Sequence, residues 1–241
     1  MPEEFEDRDL TEAVFWGVDL TRAHLRDVDL TGVTIRNGRL VDVDIDGVVE
    51  RLTVNGVDVT AFVNERDRWF PLRTMLCPAD AAGMLAAWDA LERAWTGPLD
   101  LAATLSEAQR RTSVDGEWSL VDTLRHLVFA IDKWFTVPVL GAPSFHPVGI
   151  PNSGSAHLEW PGLDPGADPT FDEVVAVRAE RARELRRFLD AVGRDGAAAE
   201  LDRTVEVLEN GSAVVRDCIR VVLEEEFGHL RYAERDLARL A

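Results

Sequence analysis

Cysteine is scarce in this chain. Cys77 and Cys218 are the two among 241 residues, which excludes a disulfide framework and any CxxC pair. No apolar run approaches membrane-spanning length, so a transmembrane helix is not expected. The N-terminal stretch MPEEFEDRD has no basic region followed by an apolar one, so a secretory leader is not expected either. Positive charge is in deficit: 26 Lys and Arg stand against 44 Asp and Glu, a formal net charge of −18. Such a surface repels phosphate, so neither nucleic acid nor anionic membrane is an expected partner. Walker A, G-x-G-x-x-G and G-x-S-x-G patterns are absent, which leaves nucleotide hydrolysis and serine-hydrolase chemistry without motif support. With 46% hydrophobic and 29% charged residues, what remains is a folded chain, expected in the cytoplasm.

What is present at the start is a repeat. Leu10, Phe15, Leu20, Leu25, Leu30, Ile35, Leu40 and Ile45 are spaced by five, and most follow a small or β-branched residue two positions earlier, such as Ala13, Val18 or Ala23. Five fits neither the helical nor the strand period. It fits a solenoid with a corner every five residues, its Leu or Ile pointing to the axis. Eight such units resemble the pentapeptide-repeat family, and the resemblance implies a short right-handed quadrilateral β-helix of about two coils. The following RLTVNGVDVTAFV reads as a hairpin turning at Asn55–Gly56, able to cap the open coil. The expected domains are residues 1–64 and 65–241.

From Pro78 the period becomes helical. Ala81, Met84, Trp88, Leu91 and Trp95 share one face, and Gly97–Pro98 is expected to end that helix. Capping boxes at Ser119/Asp122 and Thr170/Glu173 open two more helices. A fourth carries Val215, Ile219, Val222, Leu223, Leu230 and Leu237. The expectation is a mainly α chain with a small β part, its helices forming a four-helix up-down bundle. The Pro- and Gly-rich segment 138–169 is expected to be an ordered loop over the bundle. The stretch TVEVLENGSAVV either forms a hairpin at Asn210–Gly211 or leads straight into the fourth helix. Trp88, Trp95, Trp118 and Trp134 read as core, and the run RAERARELRR as a solvated face with i, i+4 pairs.

One carboxylate falls inside the oily stripe of the last helix. Glu226 lies near the centre of the face set by Ile219, Leu223, Leu230 and Leu237, with His229 at its edge and Glu225 on its flank. A buried carboxylate is paired, protonated or bound to a cation. Either Glu226 meets an arginine such as Arg125 or Arg220, or Glu226 and His229 supply two ligands of a metal site suited to Zn²⁺, Ni²⁺, Fe²⁺ or Mn²⁺. His126 on the second helix is the best third ligand, although it points away from that helix's main apolar stripe, on the side of Phe129 and Asp122. His146 in the long loop could reach the same cleft.

EWSLVDTLRHLVFAIDKW and FGHLRYAERDL resemble the second and last helices of the DinB/YfiT-like family. The resemblance spans roughly residues 78–241. It implies a four-helix bundle, often dimeric, with a divalent metal on three histidines and chemistry such as transfer to a low-molecular-weight thiol of the mycothiol type. His126 matches the helix-two ligand. The H-x-x-x-H positions of the last helix are occupied by Glu226 and Leu230, so a site remodelled to His126, Glu226 and His229 is one expectation and loss of metal is the other. Glu225 and His229, spaced i, i+4, form a further pair if the helix turns slightly. On the enzyme reading Glu225 and His146 are candidate proton carriers, and Arg231 and Arg235 candidate groups for a substrate carboxylate. On the alternative reading the protein is a non-catalytic binding or scaffold protein with a degenerate site. One form of that alternative is an acidic mimic of DNA.

Overall fold

A computed structural model describes residues 5, 8–25, 28–194 and 198–241. The acidic N-terminal stretch therefore lies partly outside the described residues. The chain divides into two compact units, Met1–Gly47 and Val48–Ala241.

In the first unit the five-residue period is a period of turns. Leu10, Leu20 and Leu30 accept a hydrogen bond from the amide three residues on. The second residue after six of the repeat centres adopts positive φ: Glu12, Gly17, Arg22, Gly32, Asn37 and Asp42. Asp9, Asp19 and Asp29 brace alternate corners by accepting from the amides of Thr11, Thr21 and Thr31 at 2.8–2.9 Å, which is the Asx-turn device. These hydrogen bonds hold the three carboxyls below the usual range. No strand ladder forms among the described residues here. The expected axial side chains are also not buried: Leu10, the least open of the eight, is 47% exposed and Ile35 69%. Eight units stack too few layers to cover an axis.

The second unit begins with the hairpin β1 (Thr53–Val54) and β2 (Val57–Asp58). Asn55 and Gly56 both have positive φ at its turn, the type I′ geometry the dipeptide predicts. Short helices α1 (Thr60–Asn64) and α2 (Phe70–Arg73) follow. Thr60 Oγ1 accepts from the Leu52 amide at 2.8 Å, tying the hairpin to α1. By its contacts the hairpin thus belongs to the second unit, and the division falls before the expected boundary at 64.

Four long helices follow: α3 (Ala81–Thr104), α5 (Leu120–Ile131), α6 (Phe171–Arg194) and α7 (Val215–Leu240), with the short α4 (Glu107–Arg110) after α3. Helices α3 and α5 each pack against both α6 and α7. The core between them holds Met84, Trp88, Trp95, Leu124, Leu127, Leu185, Leu189, Ile219 and Leu223. Helix α3 does not stop at Gly97–Pro98. Pro98 is buried within it and Ala102 beyond it is fully covered, so packing offsets the backbone hydrogen bond that proline cannot donate. The Thr170/Glu173 capping box forms in full, whereas at Ser119 only the cap itself forms, its Oγ accepting from the Asp122 amide and donating to the Asp122 carboxylate. TVEVLENGSAVV makes a hairpin, β3 (Thr204–Val207) with β4 (Gly211–Val214), before running into α7. No helix of the described residues is long and apolar enough to cross a membrane.

The two thiols differ in kind. Cys77 is exposed, whereas Cys218 is wholly buried in α7. Burial and then the Asp217 charge push the Cys218 thiol up to about 11. Since thiolate is the reactive form, native protein at pH 8 takes up one equivalent of iodoacetamide, at Cys77, and a second only in denaturant. Rapid native labelling of Cys218, read by peptide mass, would contradict this packing.

Candidate metal centre

Helix α5 is buried on every side, and its second face is covered by the long loop. Phe129 packs with Phe145 and Trp160 of that loop in a separate apolar cluster. Gly149 and Gly162 let the loop come this close. A Cβ at Gly149 would stand 3.3 Å from that of Phe129, and one at Gly162, where φ is +90°, would stand 2.6 Å from the Phe145 carbonyl oxygen. Three hydrogen bonds pin alternate loop residues. The His146 amide donates to Asp132 Oδ2 at 2.7 Å. The Val148 carbonyl accepts from Arg125 Nε at 2.9 Å, and the Ile150 carbonyl lies 3.0 Å from His126 Nδ1.

That last contact defines His126. With Nδ1–H donated to the carbonyl, Nε2 is left facing Glu225: the charged ring donates there to the carboxylate, and the neutral ring offers an ion its lone pair, the usual arrangement behind a metal-binding imidazole. His126 Nε2 stands 3.5 Å from Glu225 Oε2. His229, one turn further along α7, has Nδ1 2.9 Å from the Glu225 carbonyl and 3.4 Å from Glu225 Oε2. The two imidazoles are 5.0 Å apart between centroids, and Trp118 lies against both, at 4.7 and 6.2 Å. One ligand atom from each of His126, Glu225 and His229 lies within 4.8 Å of the other two. Tetrahedral ligands about 2.1 Å from an ion are about 3.4 Å apart; the 3.5 Å between His126 Nε2 and Glu225 Oε2 is near that value. Two imidazole nitrogens and one carboxylate oxygen fit Zn²⁺, Ni²⁺, Fe²⁺ or Mn²⁺.

Burial pushes the Glu225 carboxyl up, but the hydrogen bond to His126 and the charges of His126, His229 and Lys133 outweigh it and hold the group below its ordinary range. Glu225 is therefore the carboxylate of this cluster and Glu226 is not. Glu226, 3% exposed, forms an ion pair with Arg178 of α6. Of the two openings left for Glu226 by the sequence, the pairing with an arginine is the one the fold takes. The partner is neither Arg125 nor Arg220 but a residue of the run expected to be a solvated face. That run faces inward in part: Arg181 binds Asp132 at 2.6 Å, and Arg186 reaches Glu92 of α3.

The other candidates are not among the three clustered ligand residues. His146 is half-buried, its Nδ1 accepting from the Val148 amide at 3.3 Å. Burial and then Arg181 hold its pKa below the ordinary histidine value. Arg235 is committed to Asp236 at 2.6 Å and lies over Tyr232. Arg231 lies over Phe227, and burial lowers its pKa. Two residues beside the site went unsingled in the sequence as site components. Trp118, expected in the core, is half-buried against both histidines. Lys133 is the second residue of a π turn, Asp132–Thr136, that continues α5 and packs on α7.

No curated protein and no solved structure matches the chain. Two family models do. Pentapeptide repeats match residues 9–47 in eight copies, the count and the span read from the five-residue period. The DinB superfamily matches residues 90–233, more than half of the chain, and takes in His126, Glu225 and His229. The chain, a helical body preceded by pentapeptide repeats, belongs to the DinB superfamily.

Proposed function

We propose that the protein is a divalent-metal-dependent enzyme whose ion is held by His126, Glu225 and His229, with transfer to a low-molecular-weight thiol as the reaction class. The observation that supports this reading most is the hydrogen bond from His126 Nδ1 to the Ile150 carbonyl, which fixes the tautomer and aims Nε2 at Glu225. Bound there, such an ion supplies Lewis acidity at a position that three protein ligands leave open. The chain's own groups do the rest. The Glu225 carbonyl orients His229, and Trp118 shields one side of both imidazoles from water. The Phe145–Trp160 loop holds Ile150 in place through Asp132 and Arg125. The thiol class rests on the family resemblance of the second and last helices. The recurrence of corners every five residues supports a right-handed quadrilateral coil for the repeats.

The test is stoichiometry. Protein prepared without chelator is expected to hold about one divalent ion per chain, and Zn²⁺ at 100 times its Kd to stabilise the fold by about 2.7 kcal/mol. Metal-free protein whose melting does not respond to Zn²⁺, Ni²⁺, Fe²⁺ or Mn²⁺ would leave the catalytic reading without a centre.

A further inference from the structure

Of the 26 cationic residues in this chain, 25 are arginine, and Lys133 is the one lysine. It is half-buried. Its Nζ lies 5.1 Å from the Trp160 ring and 5.3 Å from the Trp134 ring. Trp160 in turn meets Phe129 edge-on at 4.9 Å, and Phe129 lies 5.9 Å from His126. The turn that carries Lys133 packs on α7, the helix of Glu225 and His229. Among the described residues no carboxylate is within ion-pair distance of it, in a chain where Arg178, Arg181, Arg186 and Arg235 are each bound to an acid. Aromatic faces are a partial substitute for water and leave the ammonium's donors available.

The charge balance gives this placement a meaning. The ligand set of the proposed centre carries one negative charge, on Glu225. A divalent ion there, with Lys133 nearby, leaves a local excess of positive charge over the ligand set, which the exposed Glu209 and Glu224 offset in part. An excess of that kind is relieved by an anion that reaches both the ion's open position and the ammonium. The residues expected to take a substrate carboxylate are placed otherwise, Arg235 on Asp236 and Arg231 over Phe227.

We infer that Lys133 is the anion-binding residue of the site, and that the substrate or thiol it serves carries a carboxylate. This rests on the metal reading above. A compact ammonium with rotatable donors suits a mobile ligand better than the fixed fork of an arginine. Burial lowers the Lys133 pKa, partly offset by Glu225 and Glu209, which agrees with a site whose charge is completed on binding.

The experiment uses the full chain loaded with Co²⁺ and titrated with succinate, a weakly chelating carboxylate, followed in the Co²⁺ visible spectrum. Loss of one charge-assisted hydrogen bond predicts succinate binding about 10-fold weaker or more in Lys133→Met. Co²⁺ affinity is expected to stay equal or rise, because a neighbouring positive charge is gone. A second measurement needs no variant. The single lysine makes acetylation by acetic anhydride directly readable by peptide mass, and saturating succinate is expected to slow it at Lys133 about 10-fold. Equal succinate affinity in the variant, or an unprotected Lys133, overturns the proposal and leaves the metal centre standing. A wild-type chain that takes up no Co²⁺ overturns both.

Discussion

Glu225→Gln is expected to weaken Zn²⁺ binding at least about 100-fold, and His126→Ala by as much, with both chains still folded. Disturbing an outer partner of a metal ligand already costs about 10- to 100-fold, and each of these changes removes a ligand itself. Glu225 is half-buried at the cleft and His126 stands between Trp118 and Phe129, so neither substitution leaves an unpaired charge in the core. Competition against a chromophoric chelator measures the affinity, and far-ultraviolet circular dichroism checks the fold. A Glu225→Gln protein that binds Zn²⁺ as tightly as the parent would remove Glu225 from the centre.

The neighbouring carboxylate is expected to behave in the opposite way. Glu226→Ala strands the Arg178 guanidinium, which is packed over the Trp95 ring and almost wholly covered. Removing one partner of a buried ion pair costs about 3–5 kcal/mol, here a substantial part of the whole stability. The double substitution Arg178→Met with Glu226→Leu is expected to recover most of that loss, because an apolar pair needs no desolvation of charge. Urea unfolding of the three chains decides it. A single variant within 1 kcal/mol of the parent would mean that the pair is solvated rather than buried.

The difference between these two adjacent glutamates also marks the limit of what the chain reveals before it is folded. Helix α7 was legible from its spacing, and so were its buried stripe and the burial of Glu226. The partner of Glu226 was not, since it lies 48 residues away in a run whose composition reads as a wet surface. A helical wheel ranks positions by hydrophobic neighbours, so it promoted the central carboxylate and left Glu225 on the flank, where it meets His126 and His229. His126 was legible as a residue type and from its family motif, yet its direction looked wrong. The second face of α5 is completed by Phe145, Gly149, Ile150 and Trp160 of the loop, and a wheel of one helix contains no loop. The turns at Asn55–Gly56, Ser119 and Thr170 were readable because their hydrogen bonds close within three residues of themselves. The repeat revealed its corners but not the exposure of its Leu and Ile side chains, because corners are local while a covered axis needs stacked layers.

Consecutive residues of an α-helix point about 100° apart. The bond from Glu226 to Arg178 therefore adds a directional tie to the buried stripe that orients α7, and Glu225 takes its aim from that orientation. Without that tie, only the apolar stripe, which packs without fixed bond angles, would hold the carboxylate's tip toward His126. A salt link within the core of the bundle thus bears on the placement of a carboxylate one residue away, outside that core.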